Sequence, residues 1–248
     1  PGPEPQPIIC LLSFIDKIFR YAKEKKVGLT CFPLVNELGA IKGMRYWDGE
    51  PPNGTANNDA IRFDGDPQKD SLPQNFPVDK IEWSLACDLG VKLPPETRKL
   101  THLLAPMFNN GEVAGFIDCH NDYPEDGYEP PSGTYGFSYG DPEKLSPVFE
   151  AIRAKNITVL GDDKQVWGAE DKWVAIKQGL VANQHDASFI NWAFLTGVPV
   201  CVTPEVSIDT PLEMTAQIYW YWATFAISMT DGESAEQWLR SANRLKIT

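Results

Sequence analysis

A histidine stands where an apolar run gives way to polar residues, in Phe116-Ile117-Asp118-Cys119-His120-Asn121-Asp122. A His at that point, flanked by carboxylates, is suited to bind a metal ion through one ring nitrogen while a neighbour orients the other. The same His could equally serve only to hydrogen-bond a loop, and the local sequence leaves both roles open. A second candidate closes the run Val200-Cys201-Val202-Thr203-Pro204-Glu205. A carboxylate at the mouth of an apolar strand is partly desolvated, which raises its pKa and suits it to take a proton from an attacking water. A helix-capping or salt-bridged Glu fits the same pattern. Arg45 and Arg62 lie in a long polar stretch. Two guanidinium groups near a strand end could bind a carboxylate or stabilise an oxyanion.

The elements that must carry these residues follow from hydrophobic period. Ile8 to Lys25 repeats apolar residues at three- and four-residue steps and predicts an amphipathic helix. Further helices are predicted over Asp79–Leu89, Pro94–Met107, Glu143–Lys155, Ser188–Thr196, Pro211–Met229 and Ser234–Lys246. Short apolar runs predict buried strands over Val27–Val35, Ala114–Cys119, Ile157–Leu160 and Val198–Thr203. Residues Asn36–Pro77 and Asn121–Asp141, rich in Gly and Pro, read as functional loops. Buried strands alternating with helices predict an α/β fold with a mixed, mostly parallel central sheet and helices on both faces. In such sheets the carboxyl ends of the strands make the site, which singles out Asn36, His120 and Glu205.

Composition narrows the partners. The chain has 248 residues, 42% of them hydrophobic, enough for one sizeable core, and a single catalytic-type domain over 1–248 is expected. The net charge is −12, so neither nucleic acid nor an anionic membrane is an expected partner. No apolar run reaches the roughly 18 residues a membrane-spanning helix needs. The cysteines at Cys10, Cys31, Cys87, Cys119 and Cys201 form no CxxC pair, which excludes a structural zinc ribbon. Buried free thiols are expected instead.

Taken in order along the chain, several segments resemble the catalytic domain of the zinc metallocarboxypeptidases and the related aspartoacylase-type deacylases. Ser188-Phe189-Ile190-Asn191-Trp192 through Gly197 to Thr203-Pro204-Glu205 resembles the family's small–apolar–Asp/Asn–aromatic stretch and its Gly-led strand ending in Thr-x-Glu. Phe116 to His120 resembles the strand that ends in the third zinc ligand. Phe32 to Gly39 resembles the strand and Asn-Pro-x-Gly turn ahead of the family's arginines, with Glu37 in the Pro position. Asp59-Ala60-Ile61-Arg62-Phe63 resembles the Asp-x-Asn-Arg motif, with Ile61 in the Asn position.

The resemblance implies that His120 is a zinc ligand, Glu205 the general acid/base and Arg45 the oxyanion stabiliser. It implies that Arg62 binds the substrate's carboxylate, and Asn36 is a further candidate for substrate binding. Ile190 falls near the side-chain specificity position, where an apolar residue favours apolar over basic substrates. The family's His-x-x-Glu motif puts Glu4 in place as a second ligand, whereas Pro1 occupies the His position. The strands that precede this motif in the family have no counterpart here. The family's mobile-loop Tyr falls at Asn183, with Tyr135 or Tyr139 as possible substitutes. The expectation is a zinc-dependent hydrolase that uses a metal-bound water to cleave a C-terminal amino acid from a peptide, with a peptide or small amide as substrate. The departures leave open an amide deacylase of the same superfamily, or a metal-free relative serving as a binding module.

Overall fold

The computed structural model describes residues 5–35, 95–122, 133–138, 142–161, 175–177, 179–182, 188–242 and 244. The chain divides into two compact units. One comprises Pro1–Pro5, Leu34–Val113 and Gln184–Pro199; the other comprises Gln6–Pro33, Ala114–Asn183 and Val200–Thr248. The architecture is α/β, a mixed and mostly parallel sheet flanked by helices.

The second unit holds the sheet. Its strands are β1 (Gly115–Ile117), β2 (His120–Asp122), β3 (Thr134–Ser138), β4 (Ala175–Lys177), β5 (Leu180–Ala182) and β6 (Val200–Ser207). They lie in the order β1-β6-β3-β5-β4, and β2 also pairs with β6. β6 runs parallel to β1 and β2 and antiparallel to β3; β3 and β5 are parallel; β4 and β5 are antiparallel.

Alternation along β6 separates two faces. Val200, Val202 and Val206 enter a hydrophobic cluster with four helices: α1 (Pro5–Glu24), α3 (Ser146–Arg153), α5 (Leu212–Thr230) and α6 (Ala235–Ala242). α1 starts with prolines, which a first helical turn tolerates, and buries Cys10, Phe14, Ile18 and Ala22 at four-residue steps. α6 opens on a capping box: Ser234 Oγ accepts from the Gln237 N–H at 3.2 Å, and Gln237 Oε1 accepts from the Ser234 N–H at 2.6 Å.

α5 is buried on every side, as the consecutive residues Ile218, Tyr219, Trp220, Tyr221 and Trp222 require. Phe14 of α1 meets Trp220 edge-on at 5.6 Å, Phe149 of α3 meets Trp222 at 5.3 Å, and Trp238 of α6 meets Phe225 at 5.1 Å. These aromatics form much of the core of this unit. Among the described residues no helix is long and apolar enough to cross a membrane.

The first unit contains α2 (Pro95–Asn109) and α4 (Phe189–Leu195). Ser188 caps α4, its Oγ accepting from the Asn191 N–H at 3.1 Å. Gly197, at φ +91°, ends it, and the Val198 N–H returns to the Ala193 carbonyl at 3.0 Å.

Several expected elements differ. Val27–Val35 forms no strand; the chain leaves α1 through Lys26 at φ +56°, and Pro33 has no N–H to give a ladder. Ile157–Leu160 makes a single bridge, Val159 to Thr134. The stretch read as loop over Asn121–Asp141 contains β3 and most of β2. β6 continues past Glu205 to Ser207, so Glu205 lies within a strand and not at its mouth. The helix expected over Asp79–Leu89 lies outside the described residues.

β4 and β5, absent from the sequence reading, turn through Gly179 at φ +97°. A Cβ there would stand 2.5 Å from Val159 Cγ1 and 2.8 Å from the Phe149 ring. Gly179→Ala should therefore cost about 1–3 kcal/mol from overpacking, plus backbone strain. Gly197→Ala, where an added Cβ meets nothing within 4 Å, should cost the backbone strain alone. Urea unfolding of the two variants checks the order; equal losses would contradict it.

Candidate active site

The candidates His120 and Glu205 lie on the face of the sheet opposite the helical cluster. Registered neighbours in paired strands point to the same face. His120 of β2 and Tyr135 of β3 both stand opposite Glu205 of the intervening β6. Asp122 stands opposite Ser207 one step further along the same face. Three strands thus bring Tyr135, Glu205 and His120 into one row, with Asp118 and Asp122 above and below His120.

The His120 ring lies between two carboxylates. Its Nε2 is 3.3 Å from Asp118 Oδ2, and its Nδ1 is 3.9 Å from Glu205 Oε1. His120 is 4% exposed and Glu205 5%, so both act at a largely desolvated point, while Asp118 is partly open to solvent. Electrostatic interactions are stronger there than in water. The backbone is held as well: Thr134 Oγ1 donates to the Glu205 carbonyl at 2.7 Å, and Tyr219 OH of α5 donates to the His120 carbonyl.

Tyr135 is fully buried, and its hydroxyl donates to Asp122 Oδ2 at 2.7 Å. A residue fixed in this way within a strand does not take the part of a mobile-loop Tyr. Tyr139, the other substitute, lies outside the described residues.

The ring fits the part of a metal ligand. A metal-binding His gives one nitrogen to the ion and the other to a carboxylate. Here Asp118 takes Nε2 and leaves Nδ1 on the Glu205 side. Among the described residues, however, no group of three or more His, Cys, Asp or Glu side chains is disposed to hold a metal ion. Catalytic zinc takes three protein ligands, so His120 would need partners from elsewhere. Glu4, the expected second ligand, lies outside the described residues, as do Asn36, Arg45 and Arg62. Ile190 is described: it is buried in α4 of the first unit.

Among the described residues, Cys10, Cys31, Cys119 and Cys201 form no disulfide. Burial pushes the Cys119 thiol well up, Cys10 to about 11 and Cys201 to about 12. That shift disfavours the thiolate form of Cys119, next to His120, at neutral pH. Cys87 lies outside the described residues.

Solved structures share this fold. A chain from Shewanella amazonensis SB2B, described as a "putative metallopeptidase", matches with a TM-score of 0.56 and 20% identity, over 93% of this chain and 71% of that one. A Shewanella baltica OS155 chain of the same description matches at 0.53 and 19%, over 92% and 71%. A third, from Shewanella denitrificans OS217, matches at 0.59 and 16%, over 92% and 70%. At these identities the likeness is one of fold. No protein-family model and no curated protein matches the sequence.

Proposed function

We propose that the chain is a metal-dependent hydrolase that removes a C-terminal amino acid from a peptide. The observation that carries the reading is the buried His120 imidazole set between Asp118 and Glu205 on the sheet face opposite the helical cluster. The shared fold of the Shewanella structures supports it, since each of those proteins is described as a "putative metallopeptidase". His120 would hold the ion, zinc in this reading, with Glu4 as a further ligand. A bound ion would polarise the scissile carbonyl and make an attacking water more acidic.

The chain's own residues do the rest. Glu205 takes a proton from the attacking water as its oxygen bonds to the carbonyl carbon. The carbon–nitrogen bond then breaks, and the same proton passes from Glu205 to the leaving amine, so the carboxylate is restored. Asp118 holds the His120 ring by Nε2 and makes it a better donor at Nδ1. The resemblance assigns recognition of the terminal carboxylate, by a charge-assisted hydrogen bond, to Arg62 and stabilisation of the oxyanion to Arg45.

The Asp118 role has its own measurement. Asp118→Asn should weaken zinc binding about 10- to 100-fold in a chelator competition, with little change in melting temperature. Unchanged affinity would remove Asp118 from this role.

Substrate class is tested with blocked dipeptides ending in Phe or in Phe-amide. Cleavage of the free acid in preference to the amide is the expected result. Equal cleavage would favour the deacylase reading, to which Ile61 in the Asn position already leans.

A further inference from the structure

His120 opens β2, and the ladder that leads to it is interrupted one step earlier. β1 and β2 keep one register on β6: Ile117 stands opposite Val202 and His120 opposite Glu205. Asp118 and Cys119 therefore face Thr203 and Pro204. The Asp118 N–H donates to the Val202 carbonyl at 3.1 Å, and the Ile208 N–H donates to the Asp122 carbonyl at 2.9 Å. In a parallel ladder this pattern assigns the donor for the Asp118 carbonyl to residue 204. That residue is proline and has no N–H. The rung just before the candidate ligand cannot form.

Side chains from distant parts of the chain converge at the same place. Tyr219 OH, from α5, donates to the His120 carbonyl. Asn121 Nδ2 donates to the Val206 carbonyl at 3.0 Å and to Gln6 Oε1 at 2.8 Å. Gln6 Nε2 donates to the Ile208 carbonyl at 3.0 Å, which ties the first turn of α1 to the chain leaving β6. Tyr219 and Asn121 are both buried, and their bonds replace the fixing that the proline removes.

We propose that Tyr219 and Asn121 are positioning residues that hold the backbone at His120 and so set where its imidazole points. The proposal rests on His120 being a metal ligand. A ligand displaced by a fraction of an ångström binds its ion more weakly, because coordination is strict in distance and direction. Neither residue touches the ion or the substrate.

The test is Tyr219→Phe, which keeps the ring and its packing and removes only the hydroxyl. Tyr221→Phe is the control, since the Tyr221 hydroxyl is buried on the same helix without a partner among the described residues. Asn121→Leu is a second, independent variant should Tyr219→Phe fail to fold. Zinc affinity is read by chelator competition on the full-length protein. The His120 ring nitrogens are read by NMR in the metal-free protein, where only 3 histidines contribute signals.

A rise of about 10-fold or more in the zinc dissociation constant for Tyr219→Phe or Asn121→Leu, with none for Tyr221→Phe, is the expected result. Equal affinity for wild type and both positioning variants overturns the proposal. A wild type that binds no zinc sinks the peptidase reading instead. The positioning role is then decided by the NMR signals: a shift of the His120 nitrogens in the variants supports it, and identical signals overturn it.

Discussion

Glu205→Gln should lower the turnover number about 10²- to 10⁴-fold and leave the Michaelis constant within a few-fold of wild type. The change swaps one oxygen for an amide nitrogen at constant shape, in a strand whose backbone is held from both sides. Thr134 Oγ1 bonds the Glu205 carbonyl, and registered neighbours flank the residue at His120 and Tyr135. The fold therefore has little reason to move. A carboxamide cannot accept the proton of an attacking water, and nothing else in the row replaces it: His120 is engaged by Asp118, and Tyr135 gives its hydroxyl to Asp122. Each factor of ten is about 1.4 kcal/mol of barrier, so the expected loss is about 3–5 kcal/mol. Steady-state kinetics with melting curves on the same samples decide the matter. An unchanged turnover removes Glu205 from the mechanism, whereas a large drop in melting temperature makes the residue structural.

Trp192→Ala should cost about 3–5 kcal/mol of folding stability. Trp192 is 1% exposed in α4. Phe108 of α2 meets it edge-on at 4.7 Å between ring centres, and Phe189 lies at 6.3 Å. α4 has 7 residues, too few to be stable through its own hydrogen bonds. Its cap at Ser188 and its Gly197 ending define where it starts and stops, but packing of this indole keeps it folded. Alanine would leave a cavity beside the two phenylalanine rings. Urea unfolding measures the loss as a shift in midpoint at constant slope. A loss below about 1 kcal/mol would mean that the site collapses around the alanine, or that the indole carries little of the packing.

How much of this was legible in the sequence depends on how local each signal was. The helices were legible because four-residue recurrence, as at Cys10, Phe14, Ile18 and Ala22, depends only on neighbours along one element. β6 was legible as an apolar run, but its end was not. Val206 and Ser207 continue the strand because β2 and β3 pair with them, and pairing partners are invisible locally. β3 was hidden in a Gly- and Tyr-rich stretch whose strand character comes from its place between β5 and β6. Val27–Val35 shows the converse, an apolar run that pairs with no strand among the described residues.

In the site, His120 and Glu205 could be singled out as residues. Their meeting across β2 and β6 is a matter of register, which no single segment reveals. The supporting bonds were least legible. Tyr219 and His120 are 99 positions apart and Asn121 and Gln6 are 115 apart, so nothing local links them.

The central claim is that a metal ion and Glu205 act together at His120. It is tested most directly by following release of Phe from a blocked dipeptide by the full-length protein, before chelation, after chelation, and after zinc is restored. The expected result is release that stops when the metal is stripped and returns with zinc. Release that is indifferent to the chelator, or none from zinc-loaded protein, would contradict it.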